Sequence, residues 1–320
     1  MRQLVGLCLL LLWCWQQPAQ AACHPVTPSS LPPAAANELL VATQNLWLLH
    51  DSRKDFQYDK PVPTAQVKAR INALADYVIK RLASPHLLAL QEVENRQLLE
   101  QLVAAIVAKG GPEYHIHFLP NRDVAGNAVA LLSRAPVAVS RVQSLFAGQV
   151  VPGKRRAELF ARLPLLVQID QPLKMQVLVV HLRSAHGLTQ GSKHSYVLAK
   201  RRGQAQALIR WARQQQGEYL VLGDFNSGAG GHDFAAPWQQ LRKAGWQEAQ
   251  ASVADDNYSY VYRCKKQQLD HVFLSADLLP RLVKTAYAHG NAGDFRSLYT
   301  SHGTEVVSDH DGLGVYLRYP

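Results

Sequence analysis

The chain has 320 residues and 48% hydrophobic content, enough for a large core in one big domain or two small ones. Its formal charge of +10 favours anionic partners such as nucleic acid or acidic lipid and says nothing about fold; basicity for solubility alone is the plain alternative. No run of ~20 apolar residues occurs, which excludes a comfortable membrane span.

The first residues read "MRQLVGLCLLLLWCWQQPAQAAC". One Arg, an apolar run, then Ala19-Gln20-Ala21 fit a cleaved secretory signal over 1–22. The sequence therefore predicts an exported protein, periplasmic or extracellular, with no stable membrane anchor. A lipid on Cys23 is the second reading, and Gln20 stands where such a signal wants an apolar side chain. Cys8 and Cys14 leave with the signal, so Cys23 and Cys264 remain. An even count in an oxidising compartment suggests one disulfide between them, with two unpaired thiols as the alternative.

Residues 23–37 are rich in Pro, Ser and Ala and read as an extended tail. From 38 to 320 no linker divides the chain, which predicts one domain there. "ELLVATQNLWLL" is a buried strand by pattern. Val67, Ile71, Leu74, Val78 and Leu82 recur at helical spacing over 64–83. "HLLALQEV" is a short strand, followed by an amphipathic helix near 95–109. "YHIHFL", "NAVALLS", "PVAVSRV", "AELFARLPL" and "LKMQVLVVHL" are five successive strands by pattern. A helix over 193–215, the strand "YLVLGD" and a helix over 234–244 come next. "YSYVYR", "QLDHVFLS" and "LGVYLRY" complete the set. This mixture predicts sheets packed on each other with helices outside.

Polar residues interrupt several strand ends. They are Asn45, Glu92, His181, the pair Asp224 and Asn226, Asp270, and the pair Asp309 and His310. Asp224 and Asn226 are two apart, so an extended chain points both to one side. Each has a plain reading as a turn former, a helix-start acid or a hydrogen-bonded core histidine. Asp270 resists that reading most, because a carboxylate inside a strand is costly unless paired. Together the eight supply oxygen donors for a hard divalent cation, and imidazoles and amides for phosphate oxygens.

The motifs "QN", "LQEV", "HLRS", "GDFN", "LDHVFLS" and "SDHDGL" stand in an order that resembles the endonuclease/exonuclease/phosphatase superfamily, with its DNase I-like fold. The resemblance runs from about 38 to 320. It implies a four-layer α/β sandwich, two packed mixed sheets flanked by helices, with the site in the cleft between them. It also implies that Asn45, Glu92 and Asp309 hold Mg²⁺ or Mn²⁺, with Glu92 the main ligand. Asp224 would orient or deprotonate water, with Asn226 beside it; His310, steadied by Asp270, and His181 would contact the phosphate. The activity implied is phosphodiester hydrolysis, with nucleic acid the first substrate class and a lipid phosphodiester or phosphoinositide the alternative. A non-catalytic binding module on the same fold is a third reading, against which stands the complete set of ligands.

Two basic clusters stay open between solvated surface and phosphate contacts: "GKRRAEL", with Lys154, Arg155 and Arg156, and "AKRRGQ" at 199–204. The "RCKKQQ" segment holds no Gly where the family often turns, which predicts an altered hairpin pinned by Cys264.

Overall fold

Alternation along the first strand already sorts the molecule into layers. In Glu38–Leu49 (β1), Leu39 and Val41 face one side, while Leu40 and Ala42 face the other. Both sides are buried, so β1 must lie inside a sandwich. The computed structural model describes residues 27–120, 123–252, 257–293, 297–299 and 306–320. The expected signal over 1–22, and Cys23, lie outside the described residues.

After β1 come α1 (Thr64–Lys80), β2 (Leu87–Val93), α2 (Arg96–Ala108), β3 (His115–Phe118) and β4 (Ala128–Ser133). Then follow β5 (Ala138–Ser144), β6 (Leu165–Gln171), β7 (Met175–His181), α3 (Gly191–Ala212) and β8 (Tyr219–Asp224). The last elements are α4 (His232–Lys243), β9 (Gln247–Glu248), β10 (Tyr260–Tyr262), β11 (Lys265–Gln267), β12 (Asp270–Leu274), β13 (Leu282–Ala288) and β14 (Gly312–Arg318).

One six-stranded sheet has the order β13-β14-β1-β2-β4-β3, and the other the order β5-β6-β7-β8-β12-β9. Each is mixed. β1 and β2 run parallel, as do β7 and β8, and the neighbouring pairs are antiparallel. Parallel neighbours need a crossover, and α1 and α3 supply one for each sheet. Leu39, Val41, Leu87, Val177, Val179, Leu220 and Leu222 meet between the sheets. Leu40, Leu88 and Leu90 pack outward on α1 and α2, and Leu178, Val180 and Val221 pack outward on α3. The result is helix, sheet, sheet, helix: the four-layer sandwich.

Details depart from the sequence pattern in three places. "AELFARLPL" is not a strand. Leu159 and Phe160 are buried by packing, and the segment's one β-bridge, Val150–Glu158, joins two parts of the same loop rather than a sheet. Pro164 cannot donate to a ladder, and β6 starts just after it, at Leu165. β13 was not anticipated, because "LVKTAYA" mixes a Lys and a Thr into an outer strand. The tail segment 27–37 also packs on the domain: Leu31 is buried, and its N–H donates to the Arg81 carbonyl at 2.8 Å. Finally, β10 and β11 form a hairpin of their own, apart from both large sheets.

That hairpin turns through Arg263 and Cys264, at φ 49° and 59°. Two consecutive positive-φ residues make the tight turn that Asn-Gly usually supplies. Cys264 is disulfide-bonded, and the other three cysteines all lie outside the described residues.

Candidate active site

Strand pairing brings three of the singled-out side chains into one row. Asp224, ending β8, is the register partner of His181 on β7 and of Asp270 on β12. Residues paired this way point to one face, here the edge of the second sheet. Close strand approach makes the row possible. Gly223 has φ 133°, and a Cβ there would lie 2.0 Å from the Val180 carbonyl oxygen. Three residues on, Asn226 sits at φ 51°. Its N–H donates to Asp224 Oδ1 at 2.7 Å and its Nδ2 to Oδ2 at 3.0 Å.

The first sheet contributes Asn45 and Glu92. Glu92 lies at a register shift in β2 with φ 61°, an extra residue that re-aims its side chain. Opposite, Trp47 and Leu48 take φ 46° and 57°. That turn directs the Leu48 N–H to Glu92 Oε2 at 2.8 Å and the Trp47 N–H to Asn45 Oδ1 at 2.8 Å. Non-glycine residues at such angles cost about 1–3 kcal/mol each, so surrounding structure must hold them. Arg70 does this from α1. Its Nη1 donates to the Leu48 carbonyl at 2.9 Å, and its Nη2 reaches the carbonyls of Trp47 at 2.9 Å and of Leu46.

Across the cleft the two sheets are joined by Asn45. Its Nδ2 donates to Glu92 Oε1 at 3.3 Å and to Asp224 Oδ2 at 3.1 Å. His181 Nε2 lies 3.4 Å from Asp224 Oδ2 and 3.7 Å from Glu92 Oε1. His310 Nδ1 lies 2.6 Å from Asp270 Oδ2, and Tyr260 on the hairpin packs on the His310 ring at 4.9 Å between centroids. Ser308 ties this segment to the first sheet: its Oγ donates to the Asn45 carbonyl at 2.6 Å and accepts the His310 N–H at 3.0 Å.

Burial and crowding set the charges. Burial, with Asp270 and Glu92 nearby, pushes the Asp224 carboxyl up to about 7, although His310 pulls the other way. Burial and the charge of Glu92 push Asp309 up to about 6. Burial holds the His181 ring neutral, well below the usual histidine range. Burial also disfavours a charged His310, but Asp270, Asp309 and Asp224 outweigh it and keep the imidazolium.

Seven of the eight candidates are thus joined by these contacts, and Asp309 stands next to His310 in the chain, near enough for Glu92 to act on its charge. Asn45 lies within the group: its oxygen accepts the Trp47 N–H, and its nitrogen faces the carboxylates of Glu92 and Asp224. Lys154, Arg155 and Arg156 do not join the group; they are exposed in the loop between β5 and β6. Arg70, Ser308 and Tyr260 were not foreseen. Only Ser308 carried a signal, standing just before the "DHD" motif.

Glu92 and Asp309 fit a hard divalent cation. Other buried carboxylates lie close by, and among the described residues Asp270 Oδ1 is buried without a partner. A second acidic group lies beyond the strand ends, where ligand atoms of Asp51, Asp55 and Glu94 come within 4.8 Å of one another. Arg53 already bridges two of these, at 3.2 Å from Asp51 and 3.8 Å from Asp55.

Comparison with solved structures agrees on the fold. Truncated Caenorhabditis elegans TDP2 aligns with TM-score 0.57 and 18% identity, over 88% of this chain and 97% of that one. D. rerio TDP2 complexed with single-strand DNA product aligns with TM-score 0.57 and 14% identity, over 87% and 98%. An AP endonuclease from Archaeoglobus fulgidus gives TM-score 0.55 and 14% identity, over 87% and 99%. No curated protein sequence matches the chain significantly. The model of the Endonuclease/Exonuclease/phosphatase family matches residues 42–310, so the chain belongs to that family of phosphodiester hydrolases.

Proposed function

We propose that the chain is an exported, divalent-metal-dependent phosphodiesterase that hydrolyses nucleic acid, DNA foremost and RNA as a second substrate. The observation that carries this reading is Asp224, a carboxylate near neutrality held by two Asn226 bonds beside Glu92, Asn45 and His181. Glu92 and Asp309 would hold Mg²⁺ or Mn²⁺, which when bound neutralises charge on phosphate oxygens. Asp224 would orient a water and take its proton, with a pKa matched to that task. The His310 imidazolium, fixed by Asp270, would meet a phosphate oxygen through Nε2, and the neutral His181 would donate beside it. Asn226 and Asn45 would keep these groups in place.

Three observations support a polyanionic substrate and export. The chain carries a +10 charge. Two of the structural relatives are, by name, a TDP2 bound to single-strand DNA product and an AP endonuclease. Cys264 is disulfide-bonded, which suits an oxidising compartment. Exposed Lys154, Arg155 and Arg156 would add peripheral backbone contacts. A lipid substrate gains nothing from "AELFARLPLL", whose Leu159 and Phe160 face the core.

The test uses purified mature protein with circular plasmid, linear DNA, RNA and sphingomyelin vesicles, each with Mg²⁺, Mn²⁺, Ca²⁺ or EDTA. Nicked circles with Mg²⁺ or Mn²⁺, absent in EDTA and in Glu92→Ala, are expected. Turnover of sphingomyelin with none of either nucleic acid overturns the reading.

A further inference from the structure

We propose that the cavity between α3 and the end of β7 binds a non-scissile phosphate of the nucleic-acid strand. The strand's identity rests on the function proposed above; the anion site itself does not.

The "AKRRGQ" segment turns its first two cations inward. Arg201 spends its two terminal nitrogens on backbone, donating to the carbonyls of Arg183 at 2.7 Å, Asn226 at 2.9 Å and Phe234 at 2.7 Å. Lys200 is different. It is 9% exposed, and its ammonium makes no hydrogen bond or ion pair among the described residues. The nitrogen is not among the fully buried unpaired atoms, so it opens on the cavity beside it.

Lys200 lines a cavity of about 320 Å³ together with Arg162, Arg183, Asp123, Asn127 and Gln204. Three cations thus line the cavity with one carboxylate, Asp123, and a second carboxylate, Glu158, acts on Lys200 from nearby. Burial, then the charges of Arg162 and Arg183, lower the Lys200 ammonium below the usual lysine range, with Asp123 and Glu158 acting against them. An anion with several oxygens relieves this excess: the lysine supplies a point charge and the arginines planar donors.

Position ties the cavity to the catalytic cleft. Arg162 Nη2 and Asn226 Nδ2 both donate to the Leu182 carbonyl, at 2.8 and 3.2 Å, so the two nitrogens lie within about 6 Å. Asn226 in turn holds Asp224. A nucleic-acid strand carries a further phosphate next to the scissile one, whereas a sphingomyelin headgroup has none to place here.

Two measurements test this. The first is the thermal shift given by inorganic phosphate in EDTA, for wild type, Lys200→Met and Lys200→Arg. Phosphate should raise the Tm of wild type and Lys200→Arg, and the shift should vanish in Lys200→Met. Without phosphate, Lys200→Met should melt no lower than wild type, because a repulsive charge is gone. A shift that survives Lys200→Met, or a Lys200→Met protein destabilised without phosphate, overturns the anion site. The second is KM for a short DNA oligonucleotide with Mg²⁺. Lys200→Met should raise it about tenfold, with kcat changed far less, and lower the salt slope by about one. An unchanged KM overturns the assignment to a strand phosphate. Wild type that cleaves no nucleic acid, yet shows the Lys200-dependent shift, removes the nuclease reading and leaves the anion site standing.

Discussion

Arg70 Nη1 donates to the Leu48 carbonyl at 2.9 Å, and the Leu48 N–H donates to Glu92 Oε2 at 2.8 Å. A helix arginine therefore reaches the candidate metal ligand through one peptide. Arg70→Met should leave several buried carbonyls unsatisfied, at about 1–3 kcal/mol each, and release the Trp47–Leu48 turn. Urea unfolding should show a loss of several kcal/mol. Arg70→Lys should fold better than Arg70→Met but still lose kcat, because one ammonium cannot span three carbonyls.

Asp224→Asn should cut kcat by about 10³-fold if this carboxylate takes the proton from water. The same change removes a buried negative charge from beside Glu92 and Asp270. In EDTA the variant should therefore melt higher than wild type. A fall in both activity and metal-free Tm would mark Asp224 as structural.

His86 gives stability a pH dependence far from the active site. Its Nδ1 accepts the Leu40 N–H at 3.0 Å, which requires a neutral ring. Burial, then the charge of Arg134, lowers it from 6.5 to about 4. The unfolded chain takes up a proton near pH 6.5 and the folded one only near 4. Stability from this ring is full above pH 6.5 and is lost as pH falls through that window, by about 3 kcal/mol. Burial lowers His117 to about 4 as well, with the same sign. Denaturant titrations at pH 7, 5.5 and 4.5 should show the decline, and His86→Gln should flatten it by roughly half.

Gly223→Ala should be among the most damaging single-methyl changes in the protein. Its Cβ would meet the Val180 carbonyl at 2.0 Å, and neither strand can shift without moving His181 or Asp224. Circular dichroism melts should show a loss above ~4 kcal/mol or no folded protein. An Ala variant of near-native stability would mean that β7 and β8 can separate.

Much of the sandwich was legible because its strands are apolar, short and ended by polar residues. The layer of each residue in β7, and in β1 as far as Asn45, follows from simple alternation. The eight site residues were legible for the related reason that a polar side chain at a buried strand end needs an explanation. What stayed hidden depends on partners far away in sequence. Arg70 reads as a surface helix cation until the carbonyls of residues 46–48 are placed beneath it. Lys200 and Arg201 read as an exposed basic face until α3 is laid on β7 and β8. The Asn45 amide could be assigned to the cleft but not oriented, because its oxygen is claimed by a backbone turn that sequence does not announce.

The row His181–Asp224–Asp270 has a consequence for descent. Its members are fixed by ladder register, and the segments leaving them are free to lengthen, shorten or exchange composition without moving the row. Lineages sharing this scaffold can therefore acquire new rims, and with them new preferences, by changes that leave the reacting centre untouched. Low overall identity alongside a shared architecture is the record such drift would leave.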